Sequence, residues 1–310
     1  MTPPPTISVF FEPAARAALN LSGASAVVID AIRATTTIVA AVAAGCREVV
    51  PYRTAEEVRA EAARRPAGTV VTAGERLGVR IEGLDYNNSP SVMTAENVGG
   101  RTLLLTTTNG TQAILDAMTA ETVLIAALAN RRAVARRLAA LGRRVVFVSA
   151  GTVGTVSCED TVVAGAVIAA LLEEKRCQAP YVSGETSFNP LPLGERVAEG
   201  RVRGAPGQQL PLTPAPSPSA GRGENEEKRC QEPFSWHLED SALVALAAWR
   251  GAEGRLSELF HQTWGGAYIA RLGLEADLAV CTQVDTVDVL PLAQSSIRLA
   301  RGNPPVIAAG

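Results

Sequence analysis

Asp30 ends the apolar run AVVID, Glu75 follows a glycine in GER (74–76), and Glu159 and Asp160 open an apolar-periodic segment. Near them in sequence lie Arg33, Arg76 and three runs of hydroxyl, amide and glycine: ATTT (34–37), TTTNGT (106–111) and AGTVGT (150–155). In those runs Thr35, Thr36, Thr107, Thr108, Asn109, Gly110, Thr111, Gly151 and Thr152 can offer hydroxyl, amide or backbone donors to the oxygens of an anion. Gly110 also permits close backbone approach. Arginine clamps phosphate or carboxylate through bidentate contacts, which gives Arg33 and Arg76 a role beside the loops. Oxygen donors with scarce histidine suit Mg²⁺, which takes one or two carboxylates plus water and phosphate; Asp30, Glu75, Glu159 and Asp160 are the candidate ligands. Each feature also has a plainer reading. Thr and Asn cap helices, and acids in a first turn answer the helix dipole. Three similar loops together, and a carboxylate closing an apolar strand, favour the anion site.

The elements that must position these groups follow from hydrophobic pattern. AVVIDAIRATTTIVAAVAAGCREVVP (26–51) reads as strand, polar loop, helix, strand, and TLLLTTTNGTQAILDAMTAETVLIAA (102–127) repeats the plan with a helix from about Thr111. RRVVFVSAGTVGTVSCEDTVVAGAVIAALLEE (143–174) does so again, its helix starting near Ser157. Continuous β-branched runs predict strands covered on both faces, and alternation with helices predicts βαβ units in a mostly parallel sheet, a three-layer α/β/α protein. The likeness of the three units raises an internal duplication. In such sheets ligands sit beyond the carboxyl ends of the strands, where all these loops fall. GERLGVRIEGLDYNNSP (74–90) reads as a structured loop with a short strand. DSALVALAAWR (240–250) and LSELFHQTW (256–264) read as helices, and DLAVCTQVDTVDVLPLA (277–293) as terminal strand material.

Residues 175–234 break the pattern. They hold nine of the nineteen prolines and are bracketed by EEKRCQAP (173–180) and EEKRCQEP (226–233). The stretch reads as a low-complexity, disordered insertion that duplicated its boundary. A core of residues 1–174 and 235–310 then remains.

Composition excludes several classes. A net charge of −2 leaves no footprint for nucleic acid or an anionic membrane, and no apolar run approaches a spanning helix. Five scattered cysteines without CxxC read as reduced cytosolic thiols, and the start MTPPPTISVFF lacks a leader pattern, so a cytoplasmic protein is expected. Two histidines are too few for His-rich metal centres. A covalent-aspartate phosphatase of the haloacid dehalogenase type would need a second Asp two residues after Asp30, where Ile32 stands. A non-catalytic phosphate-ester binding module would need the anion loops but not the acids.

VVIDAIRATTTIV (27–39), GERLGVRIEGLDYNNSP, LTTTNGTQAI (105–114), AALAN (126–130) and SAGTVGTVSCEDTVVAG (149–165) resemble, in order, the motifs of the 2-phosphosulfolactate phosphatase (ComB) family. EDSALVALA and TWGGAYIARLGLEADLAVCTQVDTVDVLP are similar to that family's C-terminal region. Leu84 stands where the family usually has Phe, and Tyr86 and Asn87 replace smaller or apolar residues. The resemblance implies a Mg²⁺-dependent phosphatase that converts (R)-2-phospho-3-sulfolactate to 3-sulfolactate, a step on a route to coenzyme M. Another phosphorylated hydroxy acid is the alternative substrate. On this reading Asp30, Arg33, Glu75 and Arg76 are catalytic. Arg76 with Asn88 and Ser89 would hold the substrate's sulfonate and carboxylate, and Asn130 of AALAN joins the binding set. The expected partner is a small anionic phosphorylated substrate, with a homodimer left open.

Overall fold

A computed structural model describes residues 4–178, 236–293 and 299–301. Its strands are β1 (Thr6–Phe10), β2 (Ser25–Ile29), β3 (Glu48–Pro51), β4 (Val70–Arg76), β5 (Val79–Arg80), β6 (Thr102–Thr106), β7 (Thr122–Ile125), β8 (Val145–Ser149), β9 (His237–Leu238), β10 (Pro291–Ala293) and β11 (Leu299–Arg301). The helices are α1 (Ala34–Ala43), α2 (Ala55–Arg64), α3 (Ala95–Val98), α4 (Gly110–Asp116), α5 (Arg131–Leu141), α6 (Cys158–Gln178), α7 (Asp240–Ala252), α8 (Leu256–Gln262), α9 (Trp264–Arg271) and α10 (Glu275–Cys281).

The strands run in the order β5-β4-β6-β3-β11-β10-β7-β2-β8-β1-β9. Two parallel blocks make up this order: β4-β6-β3, and β7-β2-β8-β1-β9. Antiparallel β10 and β11 stand between them, and β5 pairs antiparallel on the outer edge of β4. The protein is thus α/β, with two mostly parallel blocks of sheet flanked by helices.

Both faces of the strands are buried, which is why their sequences are apolar without alternation. Val27, Ile29, Val145 and Phe147 point into a cluster built with Val134 and Leu138 of α5, Val163 and Val167 of α6, and Ala245 and Trp249 of α7. Their neighbours Ala26, Val28, Val146 and Val148 point the other way, into a cluster with Ile38 and Val42 of α1 and Ala113 and Ile114 of α4. That second cluster continues into Val49, Val71, Leu103 and Leu105 of the smaller block, because α1 and α4 touch strands of both. The connections β2-α1-β3 and β6-α4-β7 cross between the blocks in opposite directions. The two loops richest in Thr therefore begin at strand ends in different blocks and lead into helices that pack together.

Two stretches differ from the sequence expectation. Gly74–Arg76 is the end of β4, not a loop, and β4 returns as β5 through the two-residue turn Leu77-Gly78. Both turn residues have positive φ, 49° and 72°, as a turn matched to strand twist requires. In the C-terminal region DLAVC is helical in α10, not strand. Leu278 and Cys281 bury one stripe of that helix, and Glu275 and Asp277 sit in its first turn, where the dipole favours acids. Only Pro291–Ala293 of the expected strand material pairs, antiparallel to both β7 and β11.

α6 runs on to Gln178, four residues past the expected boundary at Glu174, and packs along α7. Gly165 makes their crossing close, since a Cβ there would stand 1.9 Å from the Ala245 carbonyl oxygen. The rest of the expected insertion lies outside the described residues.

Candidate active site

A cleft of about 350 Å³ opens at the carboxyl ends of the strands. Asp30, Arg33, Glu75, Asn88, Thr108, Asn109 and Thr152 line it together with Ile32, Leu77, Gly78, Val153, Gly154, Trp264, Gly265, Tyr268 and Ile269.

Asp30 is placed by the first turn of α1. Its backbone carbonyl accepts from the Thr35 hydroxyl (2.9 Å), and its Oδ1 accepts the Ala34 N–H at 3.2 Å. Gly110 closes over it: a Cβ there would lie 2.4 Å from the Ala34 Cβ and 2.7 Å from Asp30 Oδ2. Only glycine lets the start of α4 come so near. Burial, followed by the charge of Asp160, pushes the Asp30 carboxyl up to about 8.

Glu75 is buried and fixes the neighbouring loop. It accepts the Thr108 N–H and the Gly78 N–H, both at 2.7 Å, and the Thr108 hydroxyl at 3.2 Å. The TTTNGT run divides its labour. Thr107 and Thr111 do the capping, with the Thr111 N–H on the Thr107 hydroxyl and the Thr107 N–H on the Thr111 hydroxyl, each at 3.0 Å. Asn109 stands at the N-cap position, makes no side-chain cap bond, and faces the cleft.

Among the described residues Arg33 is the one cation lining the cleft, and it is buried. Its Nη1 donates to Asp277 Oδ2 at 2.5 Å, and its Nη2 to the Gly78 carbonyl at 3.3 Å. Asp277 Oδ1 in turn accepts from the hydroxyls of Ser89 (2.6 Å) and Ser91 (2.7 Å). Asn88 is 4% exposed, and its Oδ1 has no hydrogen-bond partner. That amide oxygen is an acceptor held at the cleft with nothing to accept from, the state a ligand would relieve.

Other predicted residues stand elsewhere. Thr36 gives its hydroxyl to the Ala31 carbonyl (2.8 Å), and neither Thr35 nor Thr36 lines the cleft. Arg76 turns away, donating to the Glu75 and Arg53 carbonyls and to the Thr106 hydroxyl, so it does not meet Asn88 and Ser89 in a clamp. Asn130 is fully buried and ties the β7 end to Val289 through its Nδ2, donated to the Ile125 and Val289 carbonyls at 3.1 Å each. Asp160 is a strut beneath the cleft. It accepts the Ala31 N–H (2.8 Å), the Ser149 hydroxyl (2.8 Å) and the Gly151 N–H (3.0 Å). Burial raises it to about 6 against those bonds. Gly151 needs its φ of 72° there, and a Cβ would strike Pro13 at 2.0 Å. Glu159 lies in an adjoining pocket with Thr263, whose hydroxyl it accepts at 3.2 Å, and burial holds its carboxyl above the ordinary range. Among the described residues no three His, Cys, Asp or Glu side chains gather to hold a metal by themselves. The family departures Leu84 and Tyr86 lie in the apolar clusters around the smaller block, outside the cleft lining.

Asp277, Ser91, Trp264, Tyr268 and Leu77 were absent from the sequence-based set. The TWGGAY and LEADLA words carried a signal only as family motif, because nothing local in them marks a site.

Carboxylates, an arginine and amide and hydroxyl donors gather at the strand ends of an α/β sheet, an arrangement that suits a phosphate ester, and the family to which the chain belongs is one of phosphoric monoester hydrolases. The chain belongs to the 2-phosphosulpholactate phosphatase family, whose model matches residues 12–183 and 227–296. It is 35% identical over 273 residues to a probable 2-phosphosulfolactate phosphatase of Symbiobacterium thermophilum, covering 88% of this chain and 92% of that one. Probable 2-phosphosulfolactate phosphatases of Clostridium botulinum and Clostridium acetobutylicum are 42% and 41% identical over 149 and 152 residues. Those matches span 48% and 49% of this chain, and 63% and 64% of the clostridial proteins. No described helix is long and apolar enough to cross a membrane.

Proposed function

We propose that this chain hydrolyses 2-phosphosulfolactate to 3-sulfolactate and phosphate with Mg²⁺ as cofactor. The observation that carries the reading is the meeting of Asp30 and Glu75 with Arg33, Asn88, Thr108 and Asn109 in one cleft. The donor set suits Mg²⁺, which asks for one or two carboxylates and takes its remaining oxygens from water and substrate. Asp30 accepts only one hydrogen bond on its carboxylate among the described residues, and Asn88 Oδ1 is unpartnered; these are the groups that would hold the ion, beside Glu75, whose oxygens also hold the Thr108 and Gly78 backbone. When bound, Mg²⁺ supplies Lewis-acid polarisation of the phosphoryl oxygens. Arg33, oriented by Asp277, balances charge gathering on those oxygens, and Asn109 with the Thr108 hydroxyl offers donors at the same place. Glu75 keeps the Thr108 backbone rigid, so no reorganisation is needed as charge develops. Arg33 and Glu75 are themselves buried, which strengthens the contacts they make.

Phosphate release from 2-phosphosulfolactate tests the reading. Activity should require added Mg²⁺ and vanish with EDTA. Full activity in metal-free protein would remove the cofactor, and no release under any condition would remove the substrate.

A further inference from the structure

The cleft has two kinds of lining. Beside the polar residues it carries an apolar wall of Ile32, Leu77, Val153, Trp264, Tyr268 and Ile269. Three of these large apolar side chains stand in water: Leu77 is 66% exposed, Val153 64% and Trp264 54%. Exposed apolar surface clustered at one place marks where something binds. The wall is also braced. Trp264 stacks on Tyr268 with ring centroids 5.1 Å apart and planes 9° from parallel, and the Tyr268 hydroxyl donates to the Leu77 carbonyl at 3.1 Å.

We infer that this site also hydrolyses phosphate monoesters whose alcohol carries an aromatic or other flat apolar group, with that group lying on Trp264. The inference rests on the phosphatase reading above. The reaction is ordinary ester hydrolysis: water oxygen bonds to phosphorus, the P–O bond to the alcohol breaks, and a water proton ends on the departing oxygen. The phosphoryl group meets the polar residues and the ring covers the wall.

Benzyl phosphate and propyl phosphate have leaving alcohols of similar acidity, so they compare the wall without changing the chemistry; their phosphonates report binding without turnover. Benzylphosphonate should bind about tenfold more tightly than propylphosphonate by calorimetry, and benzyl phosphate should show a similar advantage in kcat/KM. In Trp264→Ala, whose side chain is too exposed to hold the fold, both margins should shrink to about threefold or less. Equal phosphonate affinities in the wild type, or a margin that survives Trp264→Ala, would overturn the inference. So would self-association that hides Trp264 and leaves no ligand preference. Hydrolysis of 2-phosphosulfolactate without hydrolysis of benzyl phosphate would overturn this inference alone. Hydrolysis of neither would overturn the phosphatase reading with it.

Discussion

The two sides of the cleft are built by different means. Its polar side comes from loops at the ends of β2, β4 and β6, shaped mostly by bonds between near neighbours, Thr35 to Asp30, Thr111 to Thr107 and Gly78 to Glu75, with Thr108 on Glu75 tying two loops together. The other side carries Trp264, Gly265, Tyr268 and Ile269 of α9 and reaches back across the chain through Tyr268 on Leu77; α10, outside the lining, does the same through Asp277 on Arg33. On the proposed function the first side carries the chemistry, while Asp277 pairs with the arginine from outside the lining. A local loop can be read from its own letters, whereas a wall assembled from distant helices has no letters of its own.

The sharpest way to break that contrast is at Asp30. Asp30→Asn should lower kcat by on the order of 10²-fold or more, through loss of a metal ligand or of the attacking group. It should leave the fold intact. An unchanged kcat would reduce the polar side to architecture. The same variant has a thermodynamic signature in metal-free protein. Because burial raises Asp30 to about 8, the native state keeps a proton that the unfolded chain releases near pH 4. Native stability therefore falls as pH rises from about 4 to 8. Asp160, raised to about 6, adds to the lower part of that fall. Thermal melts across this range should show Asp30→Asn gaining on the wild type as pH rises, and parallel curves would refute the buried-carboxyl account.

Within TTTNGT the two roles should separate. Asn109→Ala should cost roughly 10²-fold in kcat with little change in the unfolding midpoint, the scale for losing one charge-stabilising donor. Inorganic phosphate should also inhibit it more weakly. Thr111→Val should do the reverse, losing about 1 kcal/mol of stability with smaller kinetic effect, since Thr111 belongs to the cap. A destabilised but kinetically normal Asn109→Ala would return the whole loop to capping.

Outside the lining, Asp277→Ala leaves Arg33 buried without its partner. The expected loss is about 3–5 kcal/mol by urea unfolding, the cost of an uncompensated buried charge. A loss under about 1 kcal/mol would mean that the pair behaves as a surface ion pair, and that α10 does not anchor the arginine.

The smallest effect is expected away from both sides. Joining Gln178 to Trp236 through a short Gly/Ser linker should preserve folding and most of kcat/KM, because α6 and α7 already pack directly and neither end lines the cleft. A well-folded deletion without activity would make the proline-rich stretch part of the site.

Sequence alone determined the strand-loop-helix plan, the parallel sheet and the polar side of the cleft. Apolar runs without alternation force burial on both faces, and a carboxylate or a Thr-Asn-Gly run at the end of such a strand can only sit at its carboxyl edge. Tertiary structure decided which of those residues meet. Thr35, Thr36 and Asn130 carry the right side chains but spend them on backbone carbonyls, and Asp160 spends both oxygens as a strut. Arg76 lies one residue from Glu75, and strand alternation sends neighbouring side chains to opposite faces, so only one of the two can point into the cleft. Arg33 meets Asp277 because α10 packs against the loop that carries Ser89 and Ser91, a contact fixed by the buried stripe of Leu278 and Cys281 and by no feature of either segment's local sequence.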